Sequence, residues 1–155
     1  MDCMLGKLAK WLKILGFDAV YFRKIEDDDL LDVARSQGRI LLTRDNGIIE
    51  RAGDVKTLFI DSEDWRDQIK QVLDSLGLKN MALPYSRCVE CNEALKAVPK
   101  SHIKNLVPPF IYEHAESFSL CPRCDRVFWK GTHFEDMKQK LEQILSDECP
   151  KESEE

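Results

Sequence analysis

Leu5, Leu8, Leu12 and Leu15 recur at three- and four-residue intervals in MDCMLGKLAKWLKILG, while Lys7, Lys10 and Lys13 fall on other faces. That is the pattern of an amphipathic helix, and Gly16 follows where a helix C-cap would sit. DAVYF (Asp18 to Phe22) predicts a short strand. The acidic run EDDD then leads into LLDVARSQ, where Leu30, Leu31, Val33 and Ala34 predict a second helix ended by Gly38. At least one of Asp27, Asp28 and Asp29 is expected to cap that helix. RILLT (Arg39 to Thr43) is a continuous apolar run of the buried-strand type, followed at once by the polar turn RDNG. A short helical piece near Ile48, a strand TLFI (Thr57 to Ile60) and a helix from Glu63 to Leu76, closed by Gly77, complete this half. Strands alternating with helices in such short segments predict an α/β fold, with a mainly parallel sheet covered by helices on both faces.

From Met81 the texture changes. Pro84, Pro99, Pro108 and Pro109 and paired cysteines appear, and helical periodicity does not return until Phe134 to Leu145. The predicted division is a first domain over residues 1–82 and a second over 83–146 that includes this last helix. The tail DECPKESEE (147–155) is too polar to pack and is expected to be disordered.

At 155 residues, two lobes would each have a limited core, so the second is expected to need a staple such as a metal. The formal charge of -5 argues against a broad basic surface that grips nucleic acid by charge alone. It leaves room for a nuclease, because catalytic carboxylates are themselves acidic. No apolar run approaches membrane-spanning length, and the start lacks the order of a signal peptide, so the chain reads as cytoplasmic with no membrane partner.

Cys88 and Cys91 (RCVECN) and Cys121 and Cys124 (LCPRCD) form two CxxC knuckles separated by 29 residues. Each knuckle presents two thiolates, and two knuckles complete a closed tetrahedral site for structural Zn²⁺. The intervening segment is long enough to carry its own helix or strand, near Ser101 to Leu106. A four-cysteine site has no open position, so chemistry is sought elsewhere. Cys3 and Cys149 are assigned no role. After the second knuckle, FWKGTHF offers aromatics with Lys130 and His133, suited either to nucleic-acid contacts or to packing against the zinc lobe.

In an open parallel sheet, functional groups gather beyond the carboxyl ends of the strands. Asp45 falls there after RILLT, Asp61 falls there after TLFI, and Asp27 to Asp29 open the second helix. Carboxylates brought together repel unless a cation lies between them, and their hard oxygens suit Mg²⁺ or Mn²⁺. The plain alternative is that these acids only cap helices and turns. Arg44 is either a phosphate contact or an ion-pair partner.

MLGKLAKWLKILGFDA, DDDLLDVA, GRILLTRD, RCVECNEALKAV, VPPFIYE and FSLCPRCDRVFWKGTH resemble, in that order, the PIN-like ribonuclease family found at the C-terminal end of the mutator-seven exonucleases. The likeness covers roughly residues 2 to 138. It implies a PIN-like parallel sheet followed by a zinc ribbon, and metal-dependent hydrolysis of RNA phosphodiester bonds by an acidic cluster. The family's acids fall on Asp2, Asp27 (with Asp28 or Asp29 as alternatives) and Asp45, which would bind Mg²⁺ or Mn²⁺. Lys7, Lys10 and Arg44 would hold phosphates. In similar proteins an apolar strand leads into the first acid, whereas here only Met1 precedes Asp2, so the sheet is expected to lack its first strand. The rival expectations are a non-catalytic RNA-binding zinc-ribbon protein and a protein-interaction adaptor.

Overall fold

The computed structural model describes residues 1–146, without the side chains of Thr132 and His133; the tail expected to be disordered, 147–155, lies outside the described residues. Its first half is built on two parallel strands, β1 (Leu41–Thr43) and β2 (Thr57–Phe59), paired Leu41 with Thr57 through Thr43 with Phe59. Helices α1 (Gly6–Ile14), α2 (Asp27–Ser36), α3 (Asn46–Arg51) and α4 (Trp65–Ser75) surround them.

Successive side chains of a strand point to opposite faces, and β1 uses both. Leu42 joins Leu5, Leu8, Leu12 and Leu15 of the α1 region and Ile69, Val72 and Leu73 of α4 in one core. Leu41 joins Leu30, Leu31 and Ala34 of α2 and Ile48 and Ala52 of the α3 region in another. The leucine stripe of α1 therefore does what its spacing predicts, and each fully buried leucine contributes about 1.5–3 kcal/mol.

The second half is a three-stranded antiparallel sheet in the order β3 (Lys96–Val98), β4 (Phe118–Leu120), β5 (Val127–Trp129). The segment between the knuckles carries β3, a 3₁₀ turn (Lys100–Ile103) and α5 (Pro109–His114). Ile103, Val107, Ala115 and Phe118 form its own small core. The final helix, α6 (Thr132–Leu145), turns back, and its Leu141 and Ile144 enter the core of α1 and α4.

Two expectations need correction. DAVYF forms no strand. The Met1 ammonium donates to Val20 O at 3.1 Å and the Asp2 N–H to Leu42 O at 3.3 Å, so the first two residues lie between this segment and β1. The rest of the interval is a cavity of about 400 Å³ lined by apolar side chains including Leu12, Phe17, Val20 and Leu30. Residues 18–22 thus have no neighbouring strand with which to build a ladder, whatever their propensity. Nor does any of Asp27, Asp28 and Asp29 cap α2. The N-cap is Glu26, with no side-chain hydrogen bond, and the three aspartates occupy the first helical turn. There they face the positive end of the helix dipole.

Gly16 has φ +89, and a Cβ there would meet Leu83 O at 2.2 Å. The chain leaving the first half crosses the end of α1 at this point: Tyr85 N–H donates to Ile14 O, Leu83 N–H to Leu15 O and the Arg87 side chain to Gly16 O. The carbonyls of Ile14, Leu15 and Gly16 at the end of α1, which the helix leaves without a partner, are thereby satisfied by the entrance to the second half.

A buried aspartate at the sheet edge and a four-cysteine centre

Asp2 adopts extended backbone and caps the 3₁₀ turn Cys3–Leu5, its Oδ1 accepting from Met4 N–H at 2.8 Å. It is only 5 % exposed. Its Oδ2 accepts from the Thr43 hydroxyl at 2.5 Å and from Arg44 N–H at 2.9 Å. The Thr43 hydroxyl in turn accepts from Asp45 N–H at 3.0 Å. Asp45 caps α3 through Oδ1, which takes the Gly47 N–H at 2.7 Å; no donor among the described residues meets Oδ2. One wholly buried hydroxyl therefore fixes the first and third predicted acids relative to each other at the carboxyl end of β1. Thr43 stands inside the TRD turn, yet nothing local in the sequence marks it as functional. The missing signal was tertiary, since its partner is 41 residues away.

Asp27 is held differently. The Arg51 guanidinium pairs with Asp27 and, at 3.1 Å, with Asp28, while Arg51 Nε donates to Gly47 O. Asp27 is thus tied through Arg51 to the helix that Asp45 caps. Among the described residues, Asp2, Asp27 and Asp45 do not form a group with ligand atoms within 4.8 Å of one another. Asp61 accepts from Gln71.

Of the expected phosphate contacts, Arg44 reaches Glu63 at 3.4 Å and keeps a buried Nε with no acceptor among the described residues. Lys7 lies over the Trp65 ring at 5.0 Å, as does Arg66 at 4.7 Å, and the same ring stacks on Trp11. Arg66 stands outside every motif of the sequence and joins this group only through the fold. Lys10 is exposed on α1. Lys130 lies 5.3 Å over Phe134 at the start of α6, and His133 belongs to the same turn, its side chain outside the described ones.

The four predicted cysteines do converge: the Sγ atoms of Cys88, Cys91, Cys121 and Cys124 lie within 4.8 Å of one another. Cys88 and Cys124 are 3.7 Å apart and Cys91 and Cys121 3.2 Å. A tetrahedron with Zn–S bonds of about 2.3 Å has edges of about 3.8 Å, so the donor set fits a zinc ion. The two knuckles are built alike. Cys88 N–H donates to Glu93 O and Asn92 N–H to Cys88 O, just as Cys121 N–H donates to Arg126 O and Asp125 N–H to Cys121 O. Asn92 and Asp125 both take positive φ, the conformation that Asn and Asp tolerate best after Gly. Burial pushes the Cys91 thiol up to about 12. At Cys121 burial is outweighed by the backbone N–H groups of Arg123 and Cys124 and by neighbouring thiols, which bring it down to about 7. A lowered thiol pKa favours the thiolate, the form that takes up metal.

Among the described residues no helix is long and apolar enough to cross a membrane. No curated protein and no solved structure matches the chain. A family model described as the Mut7-C RNAse domain does match it, over residues 1–141, a span that takes in both the aspartates at the sheet edge and the four-cysteine centre. The chain therefore belongs to the Mut7-C RNAse domain family.

Proposed function

We propose that this chain is a metal-dependent ribonuclease of PIN-like fold that hydrolyses RNA phosphodiester bonds at the carboxyl end of β1, with the four-cysteine zinc lobe helping to hold the RNA. The observation that carries this reading is the coupling of Asp2 to Asp45 through the buried Thr43 hydroxyl, in a chain of an RNAse domain family. Burying a carboxylate is costly, and a structural cap alone does not require it. A buried carboxylate wired to a second one is instead suited to presenting charge in a fixed position.

Asp2, Asp45 and Asp27 offer the hard oxygen donors that Mg²⁺ or Mn²⁺ prefers. When bound, such an ion supplies Lewis-acid stabilisation of the phosphoryl oxygens. The chain's own residues do the rest. Met4 N–H, Arg44 N–H and the Thr43 hydroxyl fix the Asp2 carboxylate. The cap to Gly47 fixes one oxygen of Asp45 and leaves the other available. Arg51 supplies a positive charge to Asp27 and Asp28 until another cation takes its place. Arg44, with its unused buried Nε, and Lys7 and Arg66 beside Trp65 are positioned to bind phosphates, and Lys10, Lys130 and His133 extend the contact.

A second reading, a non-catalytic RNA-binding protein, is favoured by the Arg51 pairing of Asp27, which leaves the three acids short of a closed ligand group. Asp45→Asn decides between them. Asn caps a helix as well as Asp does, so the variant keeps its fold and loses only the charge. Labelled single-stranded and structured RNAs are incubated with each protein in Mn²⁺ or in EDTA. Cleavage by the unmodified chain in Mn²⁺ alone, lost in Asp45→Asn, is the expected result. RNA retention without cleavage by either protein would replace the nuclease reading with the binding one.

A further inference from the structure

Lys13 lies in α1 between the buried Leu12 and Ile14, and it is only 8 % exposed. Its Nζ donates to the carbonyl oxygens of Val89 at 3.2 Å and Glu90 at 3.4 Å, the two residues between the ligands Cys88 and Cys91. It pairs with no carboxylate among the described residues: the nearby Glu90 side chain turns to Arg126 instead. A buried ammonium with no counter-charge is expensive, and two carbonyl dipoles offset only part of that cost. Lys13 and Cys91 line one cleft, where Asp18, Glu90 and Glu93 are matched by Arg39, Arg87 and Arg123 and leave the Lys13 charge over. A divalent ion held by four thiolates keeps two net negative charges, the counter-charge that Lys13 otherwise lacks.

The same knuckle is stitched to the end of α1 by further bonds. Ala19 N–H donates to Asn92 Oδ1 at 3.1 Å, Asn92 Nδ2 donates to Asp18, and Arg87 joins Gly16 O to Asn92 O. Val89 packs against the core that contains Leu8 and Leu12.

We propose that Lys13 is the counter-charge of the four-thiolate metal centre, and that metal occupancy thereby holds the C-terminal end of α1, and with it the half that carries Asp2. The proposal rests on metal at the cysteines and is independent of ribonuclease activity.

The test starts from the zinc-loaded full chain, titrated with a chromophoric chelator that reports the zinc transferred. Lys13→Met is expected to release zinc at roughly tenfold lower chelator concentration, the lower end of what loss of a residue supporting a metal site produces. Lys13→Arg is expected to stay close to the unmodified chain, and Lys24→Met, an exposed lysine with the same charge change, to have no effect. Amide exchange is followed in parallel at Leu83 and Tyr85, whose N–H groups close the end of α1, and protection there is expected to fall when zinc is removed. Equal zinc affinity in Lys13→Met and the unmodified chain would overturn the counter-charge. Should Lys13→Met fail to fold, Lys13→Arg and the exchange measurement remain, and unchanged protection after zinc removal would overturn the coupling. An unmodified chain that takes up no zinc would overturn the metal reading itself, whatever its activity on RNA.

Discussion

Replacing Thr43 with Val tests whether one hydroxyl organises the acidic site. Val has almost the same shape and the same strand preference, and the position is wholly buried in β1, so the change removes chemistry and leaves packing alone. Two hydrogen bonds disappear: the one donated to the Asp2 carboxylate at 2.5 Å and the one accepted from Asp45 N–H at 3.0 Å. A hydrogen bond to a charged group contributes about 1.5–3 kcal/mol, and an amide left without an acceptor costs about 1 kcal/mol or more. Asp2 keeps its bonds from Met4 and Arg44, so the expected loss is about 2–4 kcal/mol. For a chain of this length that corresponds to a fall in Tm of roughly 5–15 °C. Thermal unfolding followed by circular dichroism and by the fluorescence of the stacked Trp11 and Trp65 measures it. Thr43→Ser is the control, because it keeps the hydroxyl and removes one methyl group, worth about 1 kcal/mol. If Thr43→Val melts within about 1 °C of the unmodified chain, or if Ser costs as much as Val, the hydroxyl does not organise the site.

Two further perturbations address the junction between the halves. Gly16→Ala places a side chain at φ +89 with its Cβ 2.2 Å from Leu83 O, a backbone collision that no rotamer relieves, and a loss of several kcal/mol is expected in urea unfolding. A Cm unchanged by the substitution would show that the crossing at residues 83–86 is not rigid. Asp18 is the other. Hydrogen bonds from Arg39 hold its carboxyl below the ordinary value, with a further contribution from Asn92. A carboxylate whose pKa is lowered by folding contributes stability that is present above its unfolded value and lost as the pH falls through its folded one. The unmodified chain is therefore expected to lose Tm more steeply than Asp18→Asn as the pH falls below about 4, the ordinary carboxylate value. Parallel curves would show that Asp18 does not stabilise the junction.

The elements were legible where a single periodicity governed them. The leucine stripe gave α1, the apolar run gave β1, and the two CxxC pairs gave a four-cysteine cluster, able to hold a metal, whose thiols meet as their spacing requires. Local signals of this kind depend on neighbours three or four residues away, or on a turn that each knuckle makes for itself. DAVYF misled for the same reason: strand propensity is local, but a strand exists only when another backbone runs beside it, and here a cavity and two residues of the N-terminus do.

The sequence alone therefore determined which residue types are available for chemistry: acids at the edges of the elements and four cysteines in two knuckles. The tertiary structure decided how they are used. It buried the capping carboxylate of Asp2 and wired it through Thr43 to Asp45, assigned Asp27 to Arg51, and buried Lys13 against the first cysteine knuckle. Those partners are distant along the chain, 76 residues for Lys13 and Val89. Hydrogen bonds and burial depend on distance in space, which no local pattern encodes.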